Sequence, residues 1–129
     1  MKQKRAIALI KQYAKRWTYR LGLQWWKVEL IFYDDADSII REFARGENET
    51  CLATTYTKWE YTEAVVCFNV PAWCKLEEGE FEAKVLHELC HVLVNEMREG
   101  ESHHEERVVS HLQRAFIWTE VDCSGGKNE

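Results

Sequence analysis

Residues 80 to 97 have the sequence EFEAKVLHELCHVLVNEM, and this stretch organises the C-terminal half of the chain. Its apolar residues recur every three or four positions, which is the period of an amphipathic helix. One side carries three leucines, Leu86, Leu89 and Leu93. At about 100° per residue, His87 and His91 fall on the opposite edge. The spacing predicts a helix from about 80 to 98 that packs through its leucines and presents its histidines to a site.

The residues on either side of this stretch indicate where the helix begins and ends. Glutamates between 77 and 82 place negative charge where a helix N-terminus favours it. Gly100 follows the apolar residues, and glycine commonly ends a helix. A second helix is predicted from about 103 to 118, and residues 124 to 129 are expected to form a frayed tail.

The first third of the chain predicts a helix, a strand and a short second helix. From 3 to 21 the apolar residues again recur three or four apart, and Gly22 follows them. Trp25 to Phe32 alternates between apolar and charged residues, which is typical of a half-buried strand. Ser38 is a suitable N-cap for a short helix that Gly46 would end.

The segment from Thr50 to Val70 is rich in β-branched and aromatic residues. This composition predicts two further strands, with a bend near residues 59 to 62. The second of these strands, Ala64 to Val70, alternates between buried and outward positions. Pro71 ends it, because proline cannot donate to the hydrogen-bond ladder of a sheet.

The composition and the order of these elements predict the fold class. A chain of 129 residues with 46% hydrophobic residues and one proline fits a globular domain and excludes a disordered or proline-rich chain. We expect residues 1 to 129 to form a single α+β domain. Its predicted parts are an N-terminal helix, a small, mostly antiparallel sheet of about three strands, and two helices over about 80 to 118.

Composition also narrows the location and the partners of the protein. No apolar run reaches the length of a membrane span or of a signal peptide core. Five cysteines without a C-x-x-C pair argue against a disulfide framework, so we expect a soluble, cytoplasmic protein. The first 28 residues hold eight of the 17 Lys and Arg and no acid. A solvated helix face explains this charge better than contact with nucleic acid does.

The string HELCH at residues 87 to 91 is an H-E-x-x-H motif within the predicted helix. Residues four apart lie one turn apart on one face, so both imidazoles can bind one metal ion. Glu88 lies about 100° around the helix, where it can act on a water at the metal. The motif predicts a zinc hydrolase with Zn²⁺ as cofactor, His87 and His91 as ligands and Glu88 as the catalytic base.

A catalytic zinc ion usually has three protein ligands, so the motif requires a third. A metzincin ligand set is excluded, because Val94 and Met97 occupy the positions of its glycine and histidine. The candidates beyond the helix are His103, His104, Glu105, Glu106 and His111. Ser102 and Glu105 have the spacing of a capping box, which would give Glu105 a structural role. We therefore favour Glu106, and the other candidates remain alternatives.

The motif, followed on the next helix by Glu106-x-x-x-Ser110, resembles the gluzincin metallopeptidases. The short spacing and the small chain are similar to ImmA/IrrE-type and phage-encoded metallopeptidases. The resemblance implies a zincin-like fold and hydrolysis of peptide bonds in a protein or peptide substrate, with zinc activating a water and Glu88 accepting its proton. Ser110 differs from the Asp or Asn of that family, which orients a zinc-binding histidine.

The resemblance also implies a place for the substrate. In such enzymes an edge strand beside the active-site helix binds an extended peptide through main-chain hydrogen bonds. Because every peptide has the same backbone groups, this contact needs no side-chain pocket. The predicted strand is Ala64 to Val70, the last strand before the motif helix.

Two alternative functions remain open. SprT-like proteases, which act near DNA, use a histidine about a dozen residues after the motif, and His103 and His104 stand 12 and 13 residues after His91. This chain lacks the flanking glycines and the four-cysteine zinc ribbon of those proteins. The other alternative is a zinc-stabilised binding or regulatory module without peptidase activity. Glu88 argues against it, since a purely structural zinc site gains nothing from a general base.

Overall fold

The computed structural model describes residues 1–34, 52–58, 61–94 and 102–126, with side chains from residue 105 to residue 120 in the last helix. The described residues form an α+β structure of four helices and three strands. The helices are α1 (Gln3–Arg20), α2 (Val70–Trp73), α3 (Glu78–Leu93) and α4 (Ser102–Gly126). The strands are β1 (Lys27–Tyr33), β2 (Ala53–Lys58) and β3 (Glu63–Asn69). No helix in these ranges is both long and apolar enough to cross a membrane.

Helix α1 confirms the predicted N-terminal helix to within one residue. Gly22 follows it with a φ of +73°, a left-handed conformation that glycine adopts without the strain of a side chain. The buried face of α1 consists of Ala6, Leu9, Ile10, Ala14 and Trp17. The basic side of α1 reaches α3, where Arg16 Nη1 lies 2.8 Å from Glu82 Oε2. Part of the N-terminal positive charge therefore neutralises acids of the motif helix.

Strand β3 lies at the centre of the sheet, in the order β1-β3-β2. It pairs antiparallel with β2 and parallel with β1. The prediction of a mostly antiparallel sheet is therefore correct for the pairing of β2 with β3 and wrong for the pairing of β1 with β3. A parallel pair needs a long crossover connection, and residues 34 to 62, with β2 among them, supply it. Alternation reveals which face of a strand is buried but not the direction of its neighbour.

The central position of β3 also corrects the prediction that Ala64 to Val70 is an edge strand. Its main-chain groups pair with strands on both sides, so an extended peptide cannot join it there. The strand ends at Asn69, and Pro71 opens α2 as the predicted strand-breaking residue. Strands β1 and β2 form the two edges of the described sheet. Strand β2 contacts α3 more extensively than β3 does.

The two C-terminal helices have boundaries that differ from the predicted ones. Helix α3 begins at Glu78, close to the predicted start, but ends at Leu93 rather than near residue 98. Leu93 is 38% exposed whereas Leu86 and Leu89 are buried, so the packing face ends one turn earlier than predicted. Helix α4 continues past the predicted end at 118 and includes the first part of the predicted frayed tail.

Two predicted features lie outside the described residues. They are the short helix between 38 and 46 and Gly100, the glycine predicted to end the motif helix. Immediately before β3, Thr62 has a φ of 51°, a left-handed conformation that turns the chain without a glycine.

Aromatic side chains from β3, α2 and α3 form the centre of the core. Trp73 lies edge-on to Phe68 and Phe81, with ring centroids 5.4 and 5.1 Å apart. Its Nε1 donates a hydrogen bond of 3.0 Å to the main-chain oxygen of Leu52, which precedes β2. This cluster fixes the motif helix against the sheet.

We expect Trp73→Ala to lower the free energy of unfolding by about 3–5 kcal/mol, because the side chain is fully buried and its removal leaves a cavity. The matched control is Trp118→Ala, since Trp118 is 70% exposed and its replacement should change stability by less than about 0.5 kcal/mol. Denaturant unfolding of the two variants measures the difference. Equal destabilisation would contradict the position of Trp73 in the core.

Candidate metal centre

Helix α3 brings the three motif residues together, with both histidines in contact with α4 and Glu88 in contact with β2. The ligand atoms of His87, Glu88 and His91 all lie within 4.8 Å of one another, so the group could hold a metal ion. The two imidazole rings have centroids 5.1 Å apart and are nearly perpendicular. His91 is buried and the side chain of His87 is 21% exposed, so solvent reaches the group at His87.

Helix α4 adds Glu106 to this group. Glu106 Oε1 lies 2.7 Å from His91 Nε2, and Oε2 lies 3.3 Å from His87 Nε2. Two ligand atoms of one tetrahedral zinc ion, each about 2.0–2.1 Å from the metal, would be about 3.3 Å apart. The carboxylate is thus near enough to both nitrogens to share an ion with them.

Glu105 lies on the other side of His91. Its carboxylate is buried, and its Oε1 lies 2.8 Å from His91 Nδ1, the nitrogen that faces away from Glu106. Its position suits a residue that orients His91 rather than a direct ligand. The predicted capping box and the alternative ligands His103 and His104 involve side chains outside the described part of α4.

Gln113 orients the other histidine. Its Oε1 lies 3.1 Å from His87 Nδ1. Gln113 follows Glu106 by two helical turns, so both side chains project from one face of α4. The gluzincin resemblance predicted an orienting residue one turn after the glutamate, where Ser110 stands. Gln113 was not among the predicted site residues, although its seven-residue spacing from Glu106 places both on one face of a helix.

Each histidine has an oxygen atom beside both of its ring nitrogens. All of these oxygen atoms are acceptors, those of Glu106 included, whereas a neutral imidazole carries only one N–H. If Nδ1 donates to Gln113 and to Glu105, the lone pair of each Nε2 faces the Glu106 carboxylate, and a cation between them would remove this mismatch. This donor arrangement fits a bound metal ion.

Strand β2 supplies a contact to Glu88 that the sequence did not suggest. Thr55 Oγ1 donates a hydrogen bond of 2.7 Å to Glu88 Oε1. Thr55 is 2% exposed and Glu88 is half-buried, so the donor end of the bond lies in the protein interior. No local spacing relates the two residues, since 33 positions separate them.

Cys90 lies within the motif but faces the core. Its side chain is fully buried, and burial raises the pKa of the Cys90 thiol to about 12. Metal ligation requires a thiolate, so a thiol with this pKa is a poor ligand at neutral pH. His111, the remaining candidate, is exposed on α4.

Comparison with models of protein families, with curated proteins and with solved structures finds no match.

Proposed function

We propose that this protein is a zinc-dependent peptidase, with His87, His91 and Glu106 as metal ligands and Glu88 as general base. One observation carries the proposal: a carboxylate from α4 meets the Nε2 atoms of both motif histidines, at 2.7 and 3.3 Å. Glu88 lies beside the same histidines. Three protein ligands next to a carboxylic base are typical of catalytic rather than structural zinc sites.

The donor set favours zinc among the common metals. Two imidazole nitrogens and one carboxylate form the ligand combination of known zinc peptidases. An all-oxygen set would instead suit magnesium or calcium. The glutamate on α4 also supports a gluzincin-like arrangement over the SprT-like alternative, whose third ligand is a histidine.

The residues of the chain have separable roles in peptide hydrolysis. When bound, zinc supplies a Lewis acid that polarises a carbonyl group and acidifies water. Glu88 takes a proton from the attacking water and delivers it to the amide nitrogen as the C–N bond breaks. Glu105 and Gln113 hold the two imidazoles in place through their Nδ1 atoms.

Metal content and hydrolysis of an unstructured protein test the proposal together. Protein purified without chelators should contain close to one zinc per chain, and added zinc should raise the melting temperature of the stripped protein. Cleavage of casein should stop with a chelator and return with zinc. His111→Ala is the matched control, because this exposed histidine lies outside the group and its loss should leave all readouts unchanged.

Two outcomes would overturn the proposed function. One is less than about 0.2 zinc per chain with no zinc-dependent rise in melting temperature. The other is stoichiometric zinc without any peptide hydrolysis over a panel of unfolded proteins, which would favour the zinc-stabilised binding module.

A further inference from the structure

We propose that Thr55 is a positioning residue for the general base. Its hydroxyl holds Glu88 Oε1, so that Oε2 is the carboxylate oxygen that accepts the proton of the attacking water. This inference rests on the proposed function, because it assigns Thr55 a part in the same hydrolytic reaction.

The hydrogen bond has the geometry of a strong contact. The distance of 2.7 Å from Thr55 Oγ1 to Glu88 Oε1 lies in the range for a hydroxyl that donates to a charged carboxylate. The same hydroxyl lies 3.3 Å from the main-chain oxygen of Glu88, so the strand and the base are close at two points. Among the described residues, the structure gives no corresponding donor to Oε2.

Thr55 occupies a buried position in the sheet, where a hydroxyl needs a hydrogen-bond partner. Thr55 pairs with Val66, and residues directly opposite on antiparallel strands project from the same face. Both side chains are buried, 2% and 0% exposed. A valine would fill the Thr55 position with the same shape, and a buried hydroxyl is unfavourable unless it has a partner. The partner here is the carboxylate that the reaction needs.

Fixing one oxygen of Glu88 has a clear effect on proton transfer. A glutamate side chain has several rotamers, and only those that point a free oxygen at the water are productive. The Thr55 bond selects one orientation before substrate binds. Its loss should lower kcat, while KM, which depends on contacts that Thr55 does not make, should change little.

The test compares three variants of the full chain. Thr55→Val removes the hydroxyl and keeps the shape, and Thr55→Ser keeps the hydroxyl. Thr57→Val is the matched control, since Thr57 lies two residues further along β2 and projects from the same face. With zinc bound, Thr55→Val should lower kcat by roughly 10- to 100-fold, with KM within about twofold of wild type. Thr55→Ser should retain kcat within about threefold, and Thr57→Val should match the wild type.

A second readout does not depend on activity. In the metal-free protein, the ¹³C resonance of the Glu88 carboxyl carbon, assigned by its loss in Glu88→Gln, should move in Thr55→Val. It should stay in place in Thr55→Ser and Thr57→Val. This measurement detects the hydrogen bond even if the protein hydrolyses nothing.

The outcomes separate this inference from the proposed function. An unmoved resonance in Thr55→Val, or equal kcat in Thr55→Val and wild type, overturns the positioning role while the peptidase remains. A shift in KM alone also overturns it. A moved resonance in a protein without zinc-dependent hydrolysis shows that the bond exists but that the proposed function, and with it this role, is wrong.

Discussion

Glu88→Gln is expected to lower kcat by roughly 10²- to 10⁴-fold, which is the usual contribution of a general base, while zinc remains bound. Glutamine keeps the shape of the side chain, and its amide oxygen can still accept the Thr55 hydroxyl. It cannot take a proton from water. Because the two histidines and Glu106 are unchanged, the metal should stay at the wild-type stoichiometry.

The control for this prediction is Glu78→Gln on the same helix. Glu78 lies in an exposed ion pair with Arg5, far along α3 from the motif, so its replacement should affect neither metal content nor kcat. Steady-state kinetics and metal analysis of both variants give the result. If Glu88→Gln keeps more than a tenth of wild-type kcat, or loses zinc together with activity, Glu88 is not the base.

Glu106→Gln is expected to weaken zinc binding by more than the roughly 10- to 100-fold that the loss of an outer orienting partner costs. Glu105→Gln should fall within that outer-partner range, because glutamine can still accept from His91 Nδ1. The reason for the difference is the side of the ring on which each carboxylate lies. Glu106 faces the Nε2 atoms of both histidines, whereas Glu105 contacts the opposite nitrogen of one.

Competition with a coloured chelator measures zinc affinity in the two variants. Melting temperatures of the metal-free proteins are the control for folding, which matters most for the buried Glu105. Release of metal by Glu105→Gln alone would reverse the assignment of ligand and orienting residue. Equal affinities in the two variants and the wild type would place the third ligand elsewhere, with His103 and His104 as the next candidates.

The core of the site follows from short-range sequence patterns. The helical period places His87 and His91 on one edge, and the structure has them close enough to share an ion. The preference for Glu106 depended on local capping chemistry around Ser102. The structure places Glu106 beside both imidazoles, although the capping box itself lies partly outside the described side chains.

The other parts of the site depend on contacts between distant segments. Glu105 is not excluded from the centre by its predicted capping role, since its buried carboxylate contacts His91. Gln113 reaches His87 across the packing of α3 on α4, 26 residues apart. Thr55 reaches Glu88 only because β2 packs against α3. Of these residues only Gln113 has a local signal, its seven-residue spacing from Glu106. The contacts of Glu105 and Thr55 have no spacing from which they could be inferred.

The same distinction holds for the fold. Apolar periodicity and turn residues are local properties, so α1, the three strands, the motif helix α3 and α4 could all be predicted, with errors at their ends. The parallel pairing of β1 with β3 and the central position of β3 could not, because the alternation of a strand is the same whichever neighbour it has. Strand order depends on how the whole chain buries its apolar surface. The sequence therefore specified His87, His91 and the proposed base Glu88, and tertiary packing specified the residues that contact them.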